Sequence, residues 1–83
     1  MSPRLKSLSG RDVIRSLTSL GFAVVRTRGS HSTLVRISPR DGQRHVLTVP
    51  LHKEIAPGTL RAIHRQALRF VSAEDLRAHF FHD

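Results

Sequence analysis

The stretch FAVVRTRGSHSTLVRI, residues 22–37, contains two runs of strand-forming residues separated by Gly29. Runs rich in valine, isoleucine and threonine favour β-strands, and a glycine between two such runs marks a tight connection. The turn cluster SPRDG (38–42) follows, and then a third run, RHVLTV (44–49), which ends at Pro50. The sequence therefore predicts an antiparallel meander of three strands with a hairpin at each end of the middle strand. It leaves open which face of the sheet each side chain takes.

One helix is predicted before this meander and two after it. Ser9 and Asp12 have the spacing of a capping box at the start of the first helix, and Gly21 is suited to the position just after its end. The segment TLRAIHRQALRF (59–70) is predicted to form the second helix, and a second capping-box pattern predicts a short last helix over 72–81. The apolar residues with helical spacing are Val13, Ile14, Leu17, Leu20, Leu60, Ile63, Ala67, Phe70, Leu76 and Phe80.

The order α-β-β-β-α with an extra C-terminal helix predicts an α+β fold with helices on one face of a three-stranded antiparallel sheet. At 83 residues the chain is expected to form a single domain, residues 1–83, with frayed ends at 1–8 and 82–83. The second face of the sheet is then open. A small sheet with an open basic face resembles the double-stranded-RNA-binding domains, which bind RNA by its shape.

The charge balance predicts an anionic partner. Fourteen lysine and arginine residues against six acidic residues give a formal net charge of +8, and the cations are mostly arginines, whose planar guanidinium suits phosphate. No apolar run approaches the ~20 residues of a membrane-spanning helix, so a membrane is not the expected partner. No secretory signal is visible at the N-terminus. The absence of cysteine excludes a disulfide framework or a thiolate metal site and fits a cytoplasmic protein.

The predicted turn RTRGSH gathers the candidate chemistry. A positive φ at Gly29 would let backbone N–H groups converge on an anion, and Arg26, Arg28 and Ser30 add donors. His31 is the side chain of this cluster that exchanges protons near neutral pH. RNA carries its own nucleophile, the 2′-hydroxyl, so its cleavage here requires proton transfer and cations but neither a metal nor another cofactor. Taken alone, GSH fits an ordinary hairpin turn with a surface histidine better than it fits a catalytic site.

Other basic residues are candidate RNA contacts. His52, with Lys53 beside it, follows the third strand and is either an acid or phosphate contact or a plain loop residue. Arg61, Arg65 and Arg69 form a stripe along the second helix that either extends a phosphate track or faces solvent. We interpret His45 and His64 as structural residues. His79 and His82 are interpreted as part of a polar chain end and not as a metal site, because no acidic ligand pattern accompanies them.

Three blocks occur in a fixed order: a helix ending in GF (21–22), the GSH hairpin (29–31), and VPLH (49–52) followed by GTLRAI (58–63). Together they resemble the HicA family of toxins from bacterial and archaeal toxin–antitoxin pairs, over about residues 13–67. Arg65 stands where many relatives have lysine, and Leu68 where they have glycine.

The resemblance implies a fold like that of double-stranded-RNA-binding domains and metal-independent cleavage of mRNA. It also implies a cognate HicB antitoxin that covers the active face and through which the toxin assembles into an oligomer. His31 would be the catalytic histidine, Gly29 and Ser30 would shape its turn, and His52 would be auxiliary. The C-terminal helix, longer than expected for a minimal member, would help to bind the antitoxin.

Two other functions fit the composition. A non-catalytic RNA-binding module needs only the net charge and the open sheet. An interaction subunit would use the same cations to bind a negatively charged protein.

Overall fold

The computed structural model describes residues 3–82. The elements are β1 (Arg4–Leu5), α1 (Gly10–Ser19), β2 (Ala23–Arg28), β3 (His31–Ile37), β4 (Arg44–Pro50), α2 (Pro57–Ala67), α3 (Ala73–Phe80) and β5 (Phe81–His82). The main sheet is antiparallel in the order β2-β3-β4, and β1 pairs with β5 in a separate two-stranded ribbon. The predicted α+β class, with its three-stranded meander and short C-terminal helix, is confirmed.

Helix α1 has both predicted ends. The Ser9 hydroxyl accepts a hydrogen bond from the Asp12 amide at 3.0 Å, and the Asp12 carboxylate accepts one from the Ser9 amide at 3.0 Å. At the other end Gly21 has φ 101°, a left-handed conformation that costs glycine little. Phe22 then turns back, donates its amide proton to the Leu17 carbonyl and is buried in the core.

The helices cover one face of the main sheet. Leu34 on β3 and Leu47 on β4 are register partners, and both are almost fully buried. Because residues of a strand alternate between faces, Ser32 and Arg36 lie on the same covered face as Leu34. The core on this side consists of Val13, Leu17, Phe22, Leu34, Leu47, Val49, Ile55, Leu60, Ile63, Ala67, Leu76 and Phe80.

One register shift sets the faces of β2. Val24 pairs with Leu34, but Arg26 pairs with Thr33, so Val25 is an extra residue at a β-bulge. Without the bulge, Arg26 would share the face of Val24. With the bulge, Arg26 and Arg28 lie on the open face.

Arg36, near the end of β3, connects several elements on the covered face. Its Nε donates to the Leu20 carbonyl at 3.1 Å, and its Nη1 lies 3.1 Å from Nδ1 of His45. The His45 ring stacks on Phe70 with 4.2 Å between the ring centroids. Helix α2 ends at Ala67, so Phe70 reaches this stack from the turn after the helix and not from the helical stripe that the sequence predicted.

The N-terminal bound of α2 also differs from the expectation. The helix begins at Pro57 and not at Thr59, because proline is well suited to the first helical position, where its missing N–H removes no hydrogen bond. No helix within residues 3–82 is long and apolar enough to cross a membrane.

Within residues 3–82, the segments next to both chain ends differ from the fraying expected at 1–8 and 82–83. Arg4–Leu5 pairs with Phe81–His82, and the Lys6 amide donates to the Phe80 carbonyl at 2.8 Å. The Lys6 ammonium donates to the Ala78 carbonyl at 2.7 Å. The two described segments meet because Phe80 is fully buried and anchors the strand that pairs with β1. Residues 1, 2 and 83 lie outside the described residues.

Candidate nucleic-acid interface

His31 is the first residue of β3 and is exposed on the open face of the main sheet. Its register partners are Arg28 on β2 and Pro50 on β4. Side chains of directly opposed residues point to the same face, with Cβ atoms roughly 4.5–5.5 Å apart. The Arg28 guanidinium and the His31 imidazole therefore emerge side by side at one end of the open face.

A second polar row lies next to the first. Arg26, Thr33 and Thr48 are register partners across the three strands, and Arg26 and Thr48 are exposed. The β-bulge at Val25 is what places Arg26 in this row. Neither threonine was among the predicted site residues, although Thr33 follows from the two-residue alternation once His31 is assigned to the open face.

The turn between β2 and β3 has two residues, Gly29 and Ser30. Gly29 has φ 59°, which confirms the predicted positive φ and matches the first central position of a type II′ hairpin turn. A Cβ added at Gly29 would meet nothing within 4 Å, so the glycine is required by backbone conformation and not by crowding. The Ser30 hydroxyl lies 3.5 Å from Nδ1 of His31, a distance at the outer limit of hydrogen bonding.

The loop after β4 is hydrogen-bonded to this turn. The Leu51 amide donates to the Ser30 carbonyl at 2.6 Å, and the Gly10 amide, at the start of α1, donates to the His52 carbonyl at 2.9 Å. These bonds hold the loop with His52 and Lys53 at the same end of the sheet as His31. The side chains of His52 and Lys53 are exposed.

A hydrogen bond on the covered face braces the same hairpin. Thr27 and Ser32 are register partners one residue inside the Arg28–His31 pair, and their hydroxyl oxygens lie 2.9 Å apart. Ser32 is buried, so this bond satisfies a hydroxyl that water does not reach. The hairpin that carries His31 is therefore held on both sides of the sheet.

The structure does not bring Arg61 and Arg65 to this face. Both are exposed on α2, whose Leu60 and Ile63 pack in the core against the covered face of the sheet. A continuous phosphate track from the hairpin to these arginines on one surface is therefore not formed. Arg61 instead lines a separate cleft of about 350 Å³, together with Arg4, Lys6 and Glu54.

Two of the remaining histidines are part of the packed structure. His45 stacks on Phe70 and contacts Arg36. His64 lies between the rings of Phe80 and Phe81, with centroid distances of 5.3 and 4.9 Å, and burial there lowers its pKa below the usual 6.5. No group of three or more histidine or acidic residues within 3–82 is placed to hold a metal ion.

The arrangement around His31 suits reactions at phosphate. An exposed imidazole can accept or donate a proton, and two guanidinium groups on the same face can stabilise negative charge on phosphate oxygens. The threonine hydroxyls of the second row add neutral donors. The exposed position of His31 leaves room for a polymer to lie across the sheet.

The family model of the HicA toxin of bacterial toxin–antitoxin systems matches residues 10–68. The matched segment runs from α1 to the residue after α2 and includes the whole main sheet, whereas β1, α3 and β5 lie outside it. No curated protein and no solved structure gives a significant match to the chain. Since the family match covers well over half of the 83 residues, the protein belongs to the HicA toxin family.

Proposed function

We propose that this toxin is a metal-independent endoribonuclease that cleaves mRNA, with His31 as the catalytic residue. The observation that carries the proposal is the position of His31, exposed on the open face and directly opposite Arg28. Family membership supports it, because a toxin of a toxin–antitoxin pair needs an activity that stops growth.

In the proposed reaction the ribose 2′-oxygen attacks the adjacent phosphorus, and the bond to the 5′-oxygen of the next nucleotide breaks. His31 accepts the proton of the 2′-hydroxyl, and the departing 5′-oxygen takes a proton from water or from His52. The products are one strand that ends in a 2′,3′-cyclic phosphate and one that begins with a 5′-hydroxyl. Positioned proton transfer of this kind contributes roughly 10²–10⁴-fold to a rate.

Arg28 and Arg26 serve the same step by a different means. Negative charge accumulates on the phosphate oxygens as the fifth bond to phosphorus forms. Guanidinium groups on the same sheet face as His31 would stabilise this charge more in the transition state than in the ground state. Ser30, Gly29 and Lys53 are proposed phosphate contacts at the rim of the same site. Arg61 and Arg65 are assigned only to RNA that continues beyond the sheet onto the helix layer.

Neutralisation requires the cognate antitoxin to cover His31. A HicB-type antitoxin that carries carboxylates would bind the arginines of the open face and exclude RNA from it. Free toxin would then act in the cytoplasm, where mRNA is translated, and bound toxin would be stored in a larger assembly. The association should slow at high salt, because attraction between oppositely charged surfaces accelerates encounter.

The test is RNA cleavage by purified toxin in the presence of EDTA. Wild type and His82→Ala, which removes an exposed histidine on β5, should cleave, whereas His31→Ala should not. The product should carry a 2′,3′-cyclic phosphate, and DNA of the same sequence should remain intact because it lacks the 2′-hydroxyl. Equal cleavage by wild type and His31→Ala would refute the assignment.

The same variants distinguish the proposed endoribonuclease from an RNA-binding module without catalysis. In that case the wild type would bind RNA without cutting it, and His31→Ala would change neither the affinity nor the growth arrest. Arg26→Glu and Arg28→Glu would weaken the binding and reduce its dependence on salt.

A further inference from the structure

The open face of the main sheet has two chemically different halves. The half that contains His31 consists of the rows Arg28–His31–Pro50 and Arg26–Thr33–Thr48. The other half consists of the row Ala23–Val35–Val46 and the pair Ile37–Arg44. His31 and Ile37 are six residues apart on β3, a distance of about 20 Å at the usual rise of a strand. We call Ala23, Val35, Ile37 and Val46 the apolar patch.

The apolar patch exposes two large side chains of the kind that usually lie in a core. Ile37 is 59% exposed and Val46 is 45% exposed. Val35, at the centre of the patch, is buried but does not belong to the core cluster, because it points away from the helices. Ile37 and Val46 therefore expose branched side chains around a buried valine on an uncovered sheet face, and contiguous apolar surfaces of this kind often mark a site of interaction.

RNA is a poor occupant of the patch. Aliphatic side chains offer a phosphate no donor, and single-stranded RNA is held on such surfaces by aromatic rings on which bases stack. The chain has four phenylalanines and no tryptophan or tyrosine. Within residues 3–82 none of the phenylalanines lies on the open face: Phe22 and Phe80 are buried, Phe70 stacks on His45, and Phe81 packs against His64.

A second copy of the chain is also a poor occupant. Arg26 lies beside the patch in the neighbouring row, and Arg44 is the register partner of Ile37 within it. Two copies placed face to face would bring these cations together while each chain carries a net charge of +8. A partner that combines an apolar centre with surrounding carboxylates would be complementary in both respects, and an apolar centre with a polar rim is the usual composition of a protein interface.

We propose that the apolar patch is the anchoring surface for the cognate antitoxin and that it is separable from the catalytic half of the same face. The proposal rests on the proposed function in so far as one antitoxin covers both halves. Apolar contacts to Val46 and Ile37 determine how long the antitoxin stays bound, whereas the arginines near His31 accelerate its arrival. The patch takes no part in RNA cleavage.

The experiment compares Val46→Thr and Ile37→Thr with Val24→Thr. Threonine keeps the branched shape and the strand preference of the replaced residue, but a hydroxyl takes the place of one methyl group of valine or of the ethyl group of isoleucine. Val24 is the matched control because it is also 45% exposed, but it pairs with Leu34 on the covered face. The antitoxin is the product of the adjacent gene that restores growth when it is co-expressed. Its binding is measured by surface plasmon resonance, and RNA cleavage is measured separately.

We expect Val46→Thr and Ile37→Thr each to weaken antitoxin binding roughly tenfold, mainly through faster dissociation, and to leave RNA cleavage within about twofold of wild type. Val24→Thr should bind as wild type does. Unchanged binding by both patch variants would overturn the proposal. Cleavage that falls as much as antitoxin binding would show that the patch contacts RNA, and a wild-type dimer in sedimentation that Val46→Thr dissociates would show a second copy; either result also overturns it.

Val46→Thr and Ile37→Thr are tested separately so that misfolding of one variant is not mistaken for a loss of antitoxin binding. Thermal unfolding is measured for each, and Ile37→Thr changes the more exposed of the two side chains. Failure of the enzymatic proposal is a distinct result, because the wild type would then not cleave RNA at all. Antitoxin binding would still report on the patch.

Discussion

Arg28 and His31 are directly opposed on β2 and β3, and the two residues between them form the entire turn. The juxtaposition of a guanidinium and an imidazole is thus a property of one two-residue hairpin. No distant element has to be positioned for these two side chains to share a face. The loop after β4 and helix α1 then support the turn through the Leu51–Ser30 and Gly10–His52 hydrogen bonds.

Arg28→Ala should lower the rate of RNA cleavage by roughly 10²-fold, because one donor to the developing charge is lost. The cleavage rate of Arg28→Lys should lie between those of wild type and Arg28→Ala, since an ammonium keeps the charge but not the planar pair of donors. The measurement is single-turnover cleavage. Arg40→Ala, which removes an exposed arginine in the turn at the other end of the sheet, is the control and should stay near wild type. Equal rates for Arg28→Ala and Arg40→Ala would contradict a role for Arg28.

Gly29→Ala should destabilise the fold by about 1–2 kcal/mol, the cost of a left-handed conformation at a residue with a Cβ. It should also reduce cleavage, since the strained turn shifts Arg28 relative to His31. Gly58→Ala is the matched comparison: its added Cβ also meets nothing within 4 Å, but Gly58 lies in α2 without a positive φ. That change should be neutral or stabilising in urea unfolding. Equal losses of stability for the two variants would contradict the explanation from φ.

Local sequence patterns predicted the elements around the site. The capping box of Ser9 and Asp12, the left-handed Gly21 and the glycine of the two-residue hairpin each act within a few residues of chain. Such features are readable because short-range hydrogen bonds and φ preferences determine them.

Features that depend on distant parts of the chain were not predictable in the same way. The bulge at Val25 reverses the faces of all later residues of β2, and nothing in the run of strand-forming residues marks it. The position of Arg61 depends on which sheet face α2 covers. The pairing of Arg4–Leu5 with Phe81–His82 joins the two ends of the chain and follows from the burial of Phe80, a long-range contact.

Gly10→Ala should be the most destabilising of the glycine substitutions. A Cβ at residue 10 would overlap the Pro50 carbonyl oxygen and lie 2.9 Å from Cα of Leu51. Both are backbone atoms that cannot rotate away, so α1 and the loop after β4 must separate. Overpacking of this kind costs about 1–3 kcal/mol. Urea unfolding measures the loss, and cleavage should fall as well, because the loop that supports Ser30 moves. Stability equal to that of Gly58→Ala would show that α1 and the loop after β4 are not in close contact at Gly10.

The stability of the fold should depend on pH through His64. Burial between Phe80 and Phe81 lowers the pKa of His64 below 6.5, so the unfolded chain binds this proton more readily than the folded protein does. The contribution of neutral His64 to the free energy of unfolding is therefore complete above pH 6.5 and is lost as the pH falls through the lowered folded-state pKa. His64→Phe keeps a ring against both phenylalanines but cannot be protonated, so it should lose less stability than wild type between about pH 7.5 and pH 5 in urea unfolding. His82→Phe, a change at an exposed position of β5, should retain the dependence of the wild type. If His64→Phe and the wild type lose stability in parallel over this range, another group is responsible for the acid sensitivity.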